Sequence, residues 1–170
     1  LGRDLALKVL QERHEKNKQL ILRFVEEAQI ASQLQHPGVV PIHELGESNG
    51  LPYFTMRLIQ GRTLAALLDE RQDPSEQRVH FIQIFEKMVD TLSYAHARGV
   101  IHRDCKPENI MVGSFGEVQV MDWGFAKVLG QTQAADCIPA EANEDEIFTL
   151  RSSDSHEGSS SLSGSVLGTP

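Results

Sequence analysis

The apolar residues of this 170-residue chain recur with helix or strand spacing only in its first 130 residues. The last forty residues, 131–170, have almost no such periodicity, and eight serines lie between Ser152 and Ser165. A segment of this composition cannot bury enough apolar surface to offset the entropy lost on ordering it. We therefore expect a mobile loop over 131–167 and a packed core within the residues that precede it.

Net charge and cysteine content exclude several classes of protein. The chain has 24 acidic and 16 basic side chains and a net charge of −8, six units of which fall within 131–170. An acidic surface does not attract nucleic acid or anionic membranes. Cys105 and Cys137 form no Cys-x-x-Cys pair, so neither a disulfide framework nor a zinc site is indicated. No apolar run is long enough to span a bilayer, and we expect a cytoplasmic location.

Short strands and amphipathic helices alternate in the first half of the chain. In the first apolar run, Ala6, Lys8 and Leu10 share one face of a strand. The apolar seam of the next helix has a carboxylate, Glu27, at its centre. The predicted elements are a strand at 5–10, a helix at 18–34, strands at 39–45 and 51–59 joined by a turn at 46–50, and a short helix near 64–71.

A long amphipathic pattern over 74–98 predicts the main helix of the second half. Asp73 is the expected N-cap, Pro74 suits the first helical position, and Gly99 ends the helix. The expected buried stripe consists of Phe81, Phe85, Met88, Leu92 and Ala95. Two strands follow at 109–112 and 118–122, joined by a turn at 113–117.

This second hairpin brings two oxygen-bearing side chains together. Antiparallel pairing of Val112 with Val118 or its neighbour puts Asn109 opposite Met121 or Asp122. Amide and carboxylate oxygens are hard ligands that suit Mg²⁺, which takes few protein ligands and keeps several waters. The alternative is that both side chains only cap backbone groups beside a turn.

The sequence before this hairpin, Ile101-His102-Arg103-Asp104-Cys105-Lys106-Pro107-Glu108-Asn109, resembles the catalytic loop of eukaryotic-type (Hanks-type) protein kinases. The run Asp122-Trp123-Gly124 resembles their metal-binding Asp-Phe-Gly motif, with Trp in the middle place. Lys106, two residues after the aspartate, is typical of the serine/threonine branch. The resemblance covers essentially the whole chain and is closest in style to bacterial kinases of this type.

The resemblance extends to two residues of the first half. Leu5-Ala6-Leu7-Lys8 is similar to the strand whose lysine holds the α- and β-phosphates of ATP. Glu27 then has an expected partner, because a carboxylate inside an apolar seam must be paired or bear a desolvation penalty. Taken alone, Glu27 could equally lie on the rim of a wide apolar stripe. The family relies on this Lys–Glu pair as a conformational switch.

The resemblance also implies an adenine site. The run 53–59 is similar to the strand that leads to the interlobe hinge, with Met56 as gatekeeper and the backbones of Arg57 and Ile59 at the adenine edge. Ala6 and Met111 are expected on the two faces of the ring. Ordinary core packing remains an alternative for both residues, since Ala and Met are often buried.

The roles implied at the reacting end follow the requirements of phosphoryl transfer, which are position and charge compensation. Asp104 is expected to orient and deprotonate the substrate hydroxyl, and Lys106 to neutralise the moving phosphoryl group. Asn109 and Asp122 are expected to hold Mg²⁺. Arg103 is expected to dock a phosphate of the activation segment, the alternative being an arginine bonded to local carbonyls.

The implied fold is α+β and two-lobed: part of the N-lobe at 1–60, part of the C-lobe at 61–130, and an activation segment at 131–170. Thr169 resembles the threonine that packs on the catalytic aspartate, and Thr149 and the serines of the segment are phosphorylation candidates. No Gly-x-Gly-x-x-Gly loop and no Ala-Pro-Glu motif is present, so we expect an internal fragment of the kinase domain.

The expected function is ATP- and Mg²⁺-dependent phosphorylation of Ser/Thr hydroxyls in protein substrates, with the activity of the isolated fragment in doubt. A docking or pseudokinase-like module without catalysis is the alternative. The intact set of polar site residues argues against that alternative: Lys8, Glu27, Asp104, Asn109 and Asp122.

Overall fold

The computed structural model describes residues 2, 4–129, 147 and 149. Over this part of the chain, strands and helices alternate, with short 3₁₀ turns at Glu12–His14, Pro107–Asn109 and Trp123–Phe125. The elements are β1 (Leu5–Val9), α1 (Lys18–Gln33), β2 (Ile42–Ser48), β3 (Leu51–Arg57), β4 (Gly61–Thr63), α2 (Leu64–Asp69), α3 (Arg78–Ala97), β5 (Val100–Ile101), β6 (Ile110–Gly113), β7 (Val118–Val120) and β8 (Lys127–Val128).

The first layer is an antiparallel sheet in the order β1-β3-β2, covered on one face by α1. Its register places Ala6 opposite Met56 and Lys8 opposite Phe54. Asn17 caps the N-terminus of helix α1, and its side chain accepts the Leu20 N–H. A small apolar cluster fills the space between helix and sheet: Leu10, Phe24, Ala28, Leu51 and Phe54.

The second part contains α3, the sheet β4-β6-β7 and the two-stranded sheet β5-β8. Strands β6 and β7 pair Val112 with Val118 and Ile110 with Val120, which is the first of the two registers that the sequence allowed. The larger apolar core lies here, and α1 contributes to it too. Its buried residues are Ile30, Ala31, Leu34, Val39, Ile84, Ala95, Val100, Ile110, Val112, Val118, Val120, Trp123, Ala126 and Ile147.

The connection between α1 and β2 ties the two parts together. Val39 forms a parallel bridge with Val120, and the Val120 N–H donates to Gly38 O at 2.7 Å. Because α1 supplies apolar residues to both clusters, its position decides how the first sheet sits relative to the loop that follows β7. That relation matters for the site described below.

The first predicted hairpin exists, but its predicted turn at 46–50 is wrong. Strand β2 continues through Gly46, Glu47 and Ser48, and Asn49-Gly50 alone forms the turn. Both turn residues have positive φ, 53° and 79°, the geometry of the tight turn that matches the twist of paired strands. Five consecutive turn-forming residues therefore overstated the length of the loop.

Helix α3 begins four residues later than predicted. Asp73 accepts hydrogen bonds from the Ser75 N–H and hydroxyl, and so closes a separate turn instead of capping the helix. Gln77 then takes a left-handed conformation, φ 51°, immediately before the first helical residue. Asp73 is thus not the N-cap, and Pro74 is not the first helical residue.

The predicted buried stripe of α3 is partly wrong. Phe85 is 59% exposed, whereas Ile84 and Thr91 are buried. Phe81, Met88 and Leu92 are half-buried against the larger core, and Ala95 is fully buried as predicted. Helix α3 is rotated about its axis relative to the predicted orientation, because it packs against β7 and β5. Apolar spacing alone does not tell which apolar residue faces these strands.

Three strands had no sequence signal of their own. Strands β4, β5 and β8 are two or three residues long and are defined by their partners. Most of the predicted mobile loop, 131–167, lies outside the described residues. The two positions of it that the structure does describe, Ile147 and Thr149, are both buried.

Candidate active site

An ion-pair cluster of three side chains joins β1, α1 and the loop after β7. The Lys8 ammonium lies 2.5 Å from Glu27 Oε1 and 3.5 Å from Asp122 Oδ1. Alternation along β1 turns Lys8 toward α1, and the seam of α1 turns Glu27 toward the sheet. The predicted pairing of Lys8 with Glu27 is confirmed. We call these three residues the lysine cluster.

The Glu27 carboxylate is the buried member of the lysine cluster. Its side chain is 11% exposed, against 38% for Lys8. Burial raises the pKa of Glu27 above its usual 4.5, and the neighbouring Lys8 ammonium opposes that rise. An ionised Glu27 therefore depends on Lys8. Any displacement of α1 that separates the two side chains would leave the Glu27 charge buried and unpaired, which is destabilising.

Asp122 is held in an unusual backbone conformation. Its φ and ψ are 60° and 69°, in the left-handed region that Asp tolerates better than most residues. Met121 alone separates Asp122 from the end of β7, and the three residues after Asp122 form a 3₁₀ turn that packs against α1. The conformation turns the chain so that the Asp122 carboxylate faces Lys8.

The catalytic-loop residues form a second, more local group. Asp104 is buried, with its side chain 3% exposed. The Asn109 amide donates to Asp104 O at 2.8 Å and to Asp104 Oδ2 at 3.1 Å, and Lys106 Nζ lies 3.0 Å from the same carboxylate oxygen. The structure thus brings together the three residues that the resemblance places at the reacting end. We call them the aspartate loop.

His102 supports both groups, a role that sequence analysis did not assign. Its Nδ1 accepts the Asp104 N–H at 3.3 Å, so Nε2 carries the proton and donates to Met121 O at 2.9 Å. Burial lowers the pKa of His102 below its usual 6.5, opposed by the bond to Met121 and by the charges of Asp122 and Asp104. A neutral imidazole therefore connects the aspartate loop to the residue before Asp122. The only sequence signal for this role of His102 was its place within the run 101–109 that resembles a kinase catalytic loop.

Arg103 adopts a left-handed conformation, φ 66°, and its Nε donates to Phe125 O at 2.7 Å. This contact joins the aspartate loop to the turn after Asp122. It is a bond to a local carbonyl, the alternative that the sequence left open for Arg103. A phosphate-docking role for Arg103 stays a prediction, and so does the role of Thr169, which lies outside the described residues.

A cavity of about 260 Å³ lies beside the lysine cluster, between α1 and the first sheet. Met56 is on its wall, as expected of a residue deep in a nucleotide site. Ala6, Arg57, Ile59 and Met111 are not among its lining residues, so their contacts with adenine stay predictions. The lining residues are Lys8, Glu27, Ala31, Val40, Ile42, Phe54, Met56, Val120, Met121, Asp122 and Trp123.

Backbone pairing limits how the predicted adenine contacts could form. The Arg57 N–H donates to Pro41 O at 3.1 Å, so a contact of Arg57 with adenine must use its carbonyl. Ala6 lies opposite Met56 on neighbouring strands, and Met111 lies between Thr63 and Gln119 in the second sheet. Ala6 and Met111 thus belong to different sheets.

The oxygen donors of the site fit magnesium. The Met121 N–H donates to Asn109 O at 2.8 Å, which brings Asn109 next to the residue that precedes Asp122. Among the residues that the structure describes, no cluster of three or more His, Cys, Asp or Glu side chains could hold a metal ion. One amide and one carboxylate are few ligands for a metal held by protein alone, but they suit Mg²⁺, which completes its shell with phosphate and water oxygens.

The comparisons with known proteins agree with this geometry. The protein kinase domain family matches residues 2–144, and the chain belongs to that family. The fold class predicted from the sequence, a partial α+β kinase-like fold, is confirmed. A kinase domain solved by crystallography, that of a mutant form of Mycobacterium tuberculosis PknI, has a TM-score of 0.61 and 26% identity, over 77% of this chain and 52% of that one.

Curated relatives carry the name serine/threonine-protein kinase PknD. That of Chlamydia pneumoniae is 34% identical over 99% of this chain, and that of Chlamydia abortus is 42% identical over 74%. The chain spans less than a fifth of either relative, 18% and 14%. In the part of the chain that the structure describes, no helix has the length and apolar character needed to cross a bilayer.

Proposed function

We propose that this chain contributes the nucleotide-binding and catalytic residues of a protein serine/threonine kinase, which transfers the γ-phosphoryl group of ATP to a Ser or Thr hydroxyl of a protein substrate. One observation carries the proposal: Asp104 is fixed by Asn109 and Lys106 while Lys8 is simultaneously paired with Glu27 and faces Asp122. This arrangement supports the proposal because phosphoryl transfer requires both groups to be in place in one conformation.

Binding of ATP falls to the lysine cluster and the strands beside it. Lys8, held by Glu27, would place its ammonium on the α- and β-phosphates. Met56, Ala6, Met111 and the backbones of Arg57 and Ile59 would enclose the adenine. Support comes from the cavity beside Lys8, which has Met56 in its wall.

Asn109 and Asp122 would hold Mg²⁺. When bound, the ion supplies positive charge that neutralises the phosphate oxygens as the phosphoryl group moves. Asn109 uses its amide nitrogen on Asp104, which leaves the amide oxygen as the ligand atom. Asp122 brings a carboxylate already oriented by its left-handed backbone and its proximity to Lys8.

Asp104 would act on the protein substrate. Its carboxylate orients the substrate hydroxyl and accepts the proton as the hydroxyl oxygen bonds to the γ-phosphorus and the bond to the β–γ bridging oxygen breaks, releasing ADP. Lys106, 3.0 Å from Asp104, lies where it can balance charge on the transferring group. Arg103 and Thr169 would order the activation segment around this site, and the reaction belongs in the cytoplasm, where ATP is supplied and thiols stay reduced.

Radiolabelled ATP with Mg²⁺ and a generic basic protein substrate tests the proposal directly. We expect a whole kinase domain that includes this chain to incorporate phosphate on Ser or Thr, and Asp104→Asn to lower the rate by about 10²–10⁴-fold, the usual contribution of a general base. Asp90→Asn, at an exposed position on α3, is the matched control and should leave the rate unchanged.

Two outcomes contradict the proposal. Incorporation that survives Asp104→Asn at the wild-type rate would assign the activity to a contaminant. Mg²⁺-dependent nucleotide binding without any transfer, in a protein that is folded by circular dichroism, would instead favour the docking module.

A further inference from the structure

The connection from β3 to β4 is short and is fastened at both ends. It consists of residues 58–60, because β3 ends at Arg57 and β4 begins at Gly61. On the β3 side, the Arg57 N–H is donated within the first part of the fold. On the β4 side, Gln60 O accepts two hydrogen bonds from Ser114, one from the backbone N–H at 3.1 Å and one from the hydroxyl at 3.0 Å. We call 58–60 the connecting link.

The two bonds from Ser114 continue the pairing of β4 with β6. That antiparallel pairing starts with Gly61 opposite Gly113 and includes Met111. Gln60 and Ser114 are the next pair in the same register, so their bonds add one further step to the ladder. The position of the connecting link relative to Met111 is therefore set by this ladder and by the bonds that close its end.

The close approach of β4 to β6 depends on Gly61. A Cβ at this position would collide with Val112 O and would lie 2.7 Å from Gly113 Cα. Both neighbours are backbone atoms, which cannot rotate out of the way as a side chain can. Because residue 61 has no side chain, the ladder begins immediately after the connecting link.

We propose that Ser114 is a positioning residue for the adenine site: its two hydrogen bonds to Gln60 O fix the connecting link beside Met111. This inference rests on the proposed function, in which the backbone of Ile59 contacts the adenine edge and Met111 lies on one face of the ring. The link and Met111 are then two walls of one slot. A wall that can shift weakens binding, because its freedom is lost when the ring is bound.

Steady-state kinetics of a whole kinase domain that includes this chain test the proposal. Ser114→Ala removes the hydroxyl and keeps the backbone donor, and Gly61→Ala pushes β4 away from β6. The matched control is Ser32→Ala, which removes a hydroxyl bonded at 2.9 Å to another backbone carbonyl, Gln29 O, at an exposed position of α1. The measured quantities are kcat, the KM for ATP and the inhibition constant of adenosine, which has no phosphates.

We expect Ser114→Ala to raise the KM for ATP and the inhibition constant of adenosine by about 2- to 5-fold each. This is the low end for one hydrogen bond, because water can reach the exposed hydroxyl. The kcat should stay within about twofold of wild type, since the reacting groups are untouched. Gly61→Ala should shift both binding constants further in the same direction, and Ser32→Ala should change neither.

Two kinetic results would overturn the proposal. A lower kcat of Ser114→Ala at an unchanged KM for ATP would mean a general structural role. A raised KM for ATP with a wild-type inhibition constant for adenosine would place the effect outside the adenine site.

Backbone hydrogen exchange measures the fastening without nucleotide. The N–H of residue 114 donates to Gln60 O, and in Ser114→Ala it should exchange about 2- to 5-fold faster, after correction for the intrinsic rates of Ser and Ala. Its exchange should stay constant in Ser32→Ala. Faster exchange in a domain that binds neither ATP nor adenosine would overturn the proposed function but keep the fastening of the link by Ser114. Unchanged exchange in a domain that does bind ATP would overturn the role of Ser114 alone.

Discussion

The lysine cluster and the aspartate loop each pair a lysine with a carboxylate, but they are built in different ways. Lys8, Glu27 and Asp122 come from a strand, a helix and a loop separated by 19 or more residues, and two of the three side chains are over a third exposed. Asp104, Lys106 and Asn109 lie within six consecutive residues, and their shared carboxylate is buried.

The two halves of the site therefore differ in which one can move. The aspartate loop is fixed by contacts among its own residues, from Asn109 and Lys106 to Asp104, which do not depend on the position of α1. The lysine cluster exists only while α1 lies against the first sheet, so displacement of one helix would dismantle it and leave the aspartate loop intact. The predictions below separate the two halves, beginning with the largest effect.

Breaking the lysine cluster from one side should have the largest effect on stability. Lys8→Met leaves Glu27 buried without its partner, and we expect the free energy of unfolding to fall by about 1–3 kcal/mol, at the low end of values for buried pairs because Lys8 is partly exposed. Glu27→Gln should cost less than about 1 kcal/mol, since it removes the charge that needs a partner. Urea unfolding of both single variants and the double variant gives the coupling energy.

The surface pair Lys16–Glu15 provides the matched control, at 4.0 Å with Lys16 94% exposed. Its own cycle, Lys16→Met with Glu15→Gln, should give a coupling energy of at most about 0.5 kcal/mol. A coupling for Lys8 and Glu27 no larger than that of the control would refute the view that burial makes this pair interdependent.

Breaking the aspartate loop should have a smaller effect. Asn109→Ala removes both bonds to Asp104, and we expect a loss of about 1–2 kcal/mol in the free energy of unfolding. Asn109→Asp keeps the size and a hard oxygen but cannot donate, and it adds a like charge beside Asp104. It should therefore be at least as destabilising at neutral pH. Wild-type stability of Asn109→Asp in urea would show that amide donation does not hold the loop.

The stability contributions of His102 and Glu27 should depend on pH with opposite sign. The pKa of His102 is lowered on folding, so the unfolded chain binds more protons at this residue. The contribution of His102 to the free energy of unfolding is therefore complete above pH 6.5 and is lost as the pH falls below that value. The pKa of Glu27 is raised on folding. Its contribution to the free energy of unfolding is therefore complete below pH 4.5 and declines as the pH rises through the higher pKa of the folded state.

Urea unfolding between pH 4.5 and about 8 in His102→Gln and Glu27→Gln measures the two contributions separately. His102→Gln should flatten the fall of stability below 6.5, and Glu27→Gln should flatten the decline above 4.5. His80→Gln, at an exposed position on α3, controls for a change of histidine content. Slopes of the same sign at both residues would contradict this assignment.

The smallest expected effect tests how closely the lysine cluster is packed. A Cβ at Gly124 would lie 3.2 Å from Glu27 Oε2 and 3.4 Å from Asp122 Oδ1. We expect Gly124→Ala to be about 0.5–1 kcal/mol less stable than the Gly2→Ala control, whose Cβ meets nothing within 4 Å. Equal stability of the two alanine variants in urea would mean that the carboxylates move aside freely.

Local signals predicted much of the fold. The apolar seam of α1 and the register of β6 with β7 follow from residues a few positions apart, and both are confirmed. The predictions for α3 were wrong where one local sequence pattern was compatible with two structures. Asp73 can cap a helix or close its own turn, and it does the latter. Phe85 and Ile84 are both apolar neighbours on α3, and only packing selects Ile84 for the core.

The sequence alone was enough to predict the aspartate loop, because Asp104, Lys106 and Asn109 lie close enough along the chain to contact one another locally. It also required that Glu27, a carboxylate in an apolar seam, find a partner. Tertiary packing alone brings Asp122 to the same Lys8 ammonium and the Trp123 indole N–H to Val120 O. The physical reason is that burial depends on which faces pack together, and burial turns a polar side chain into one that needs a specific partner.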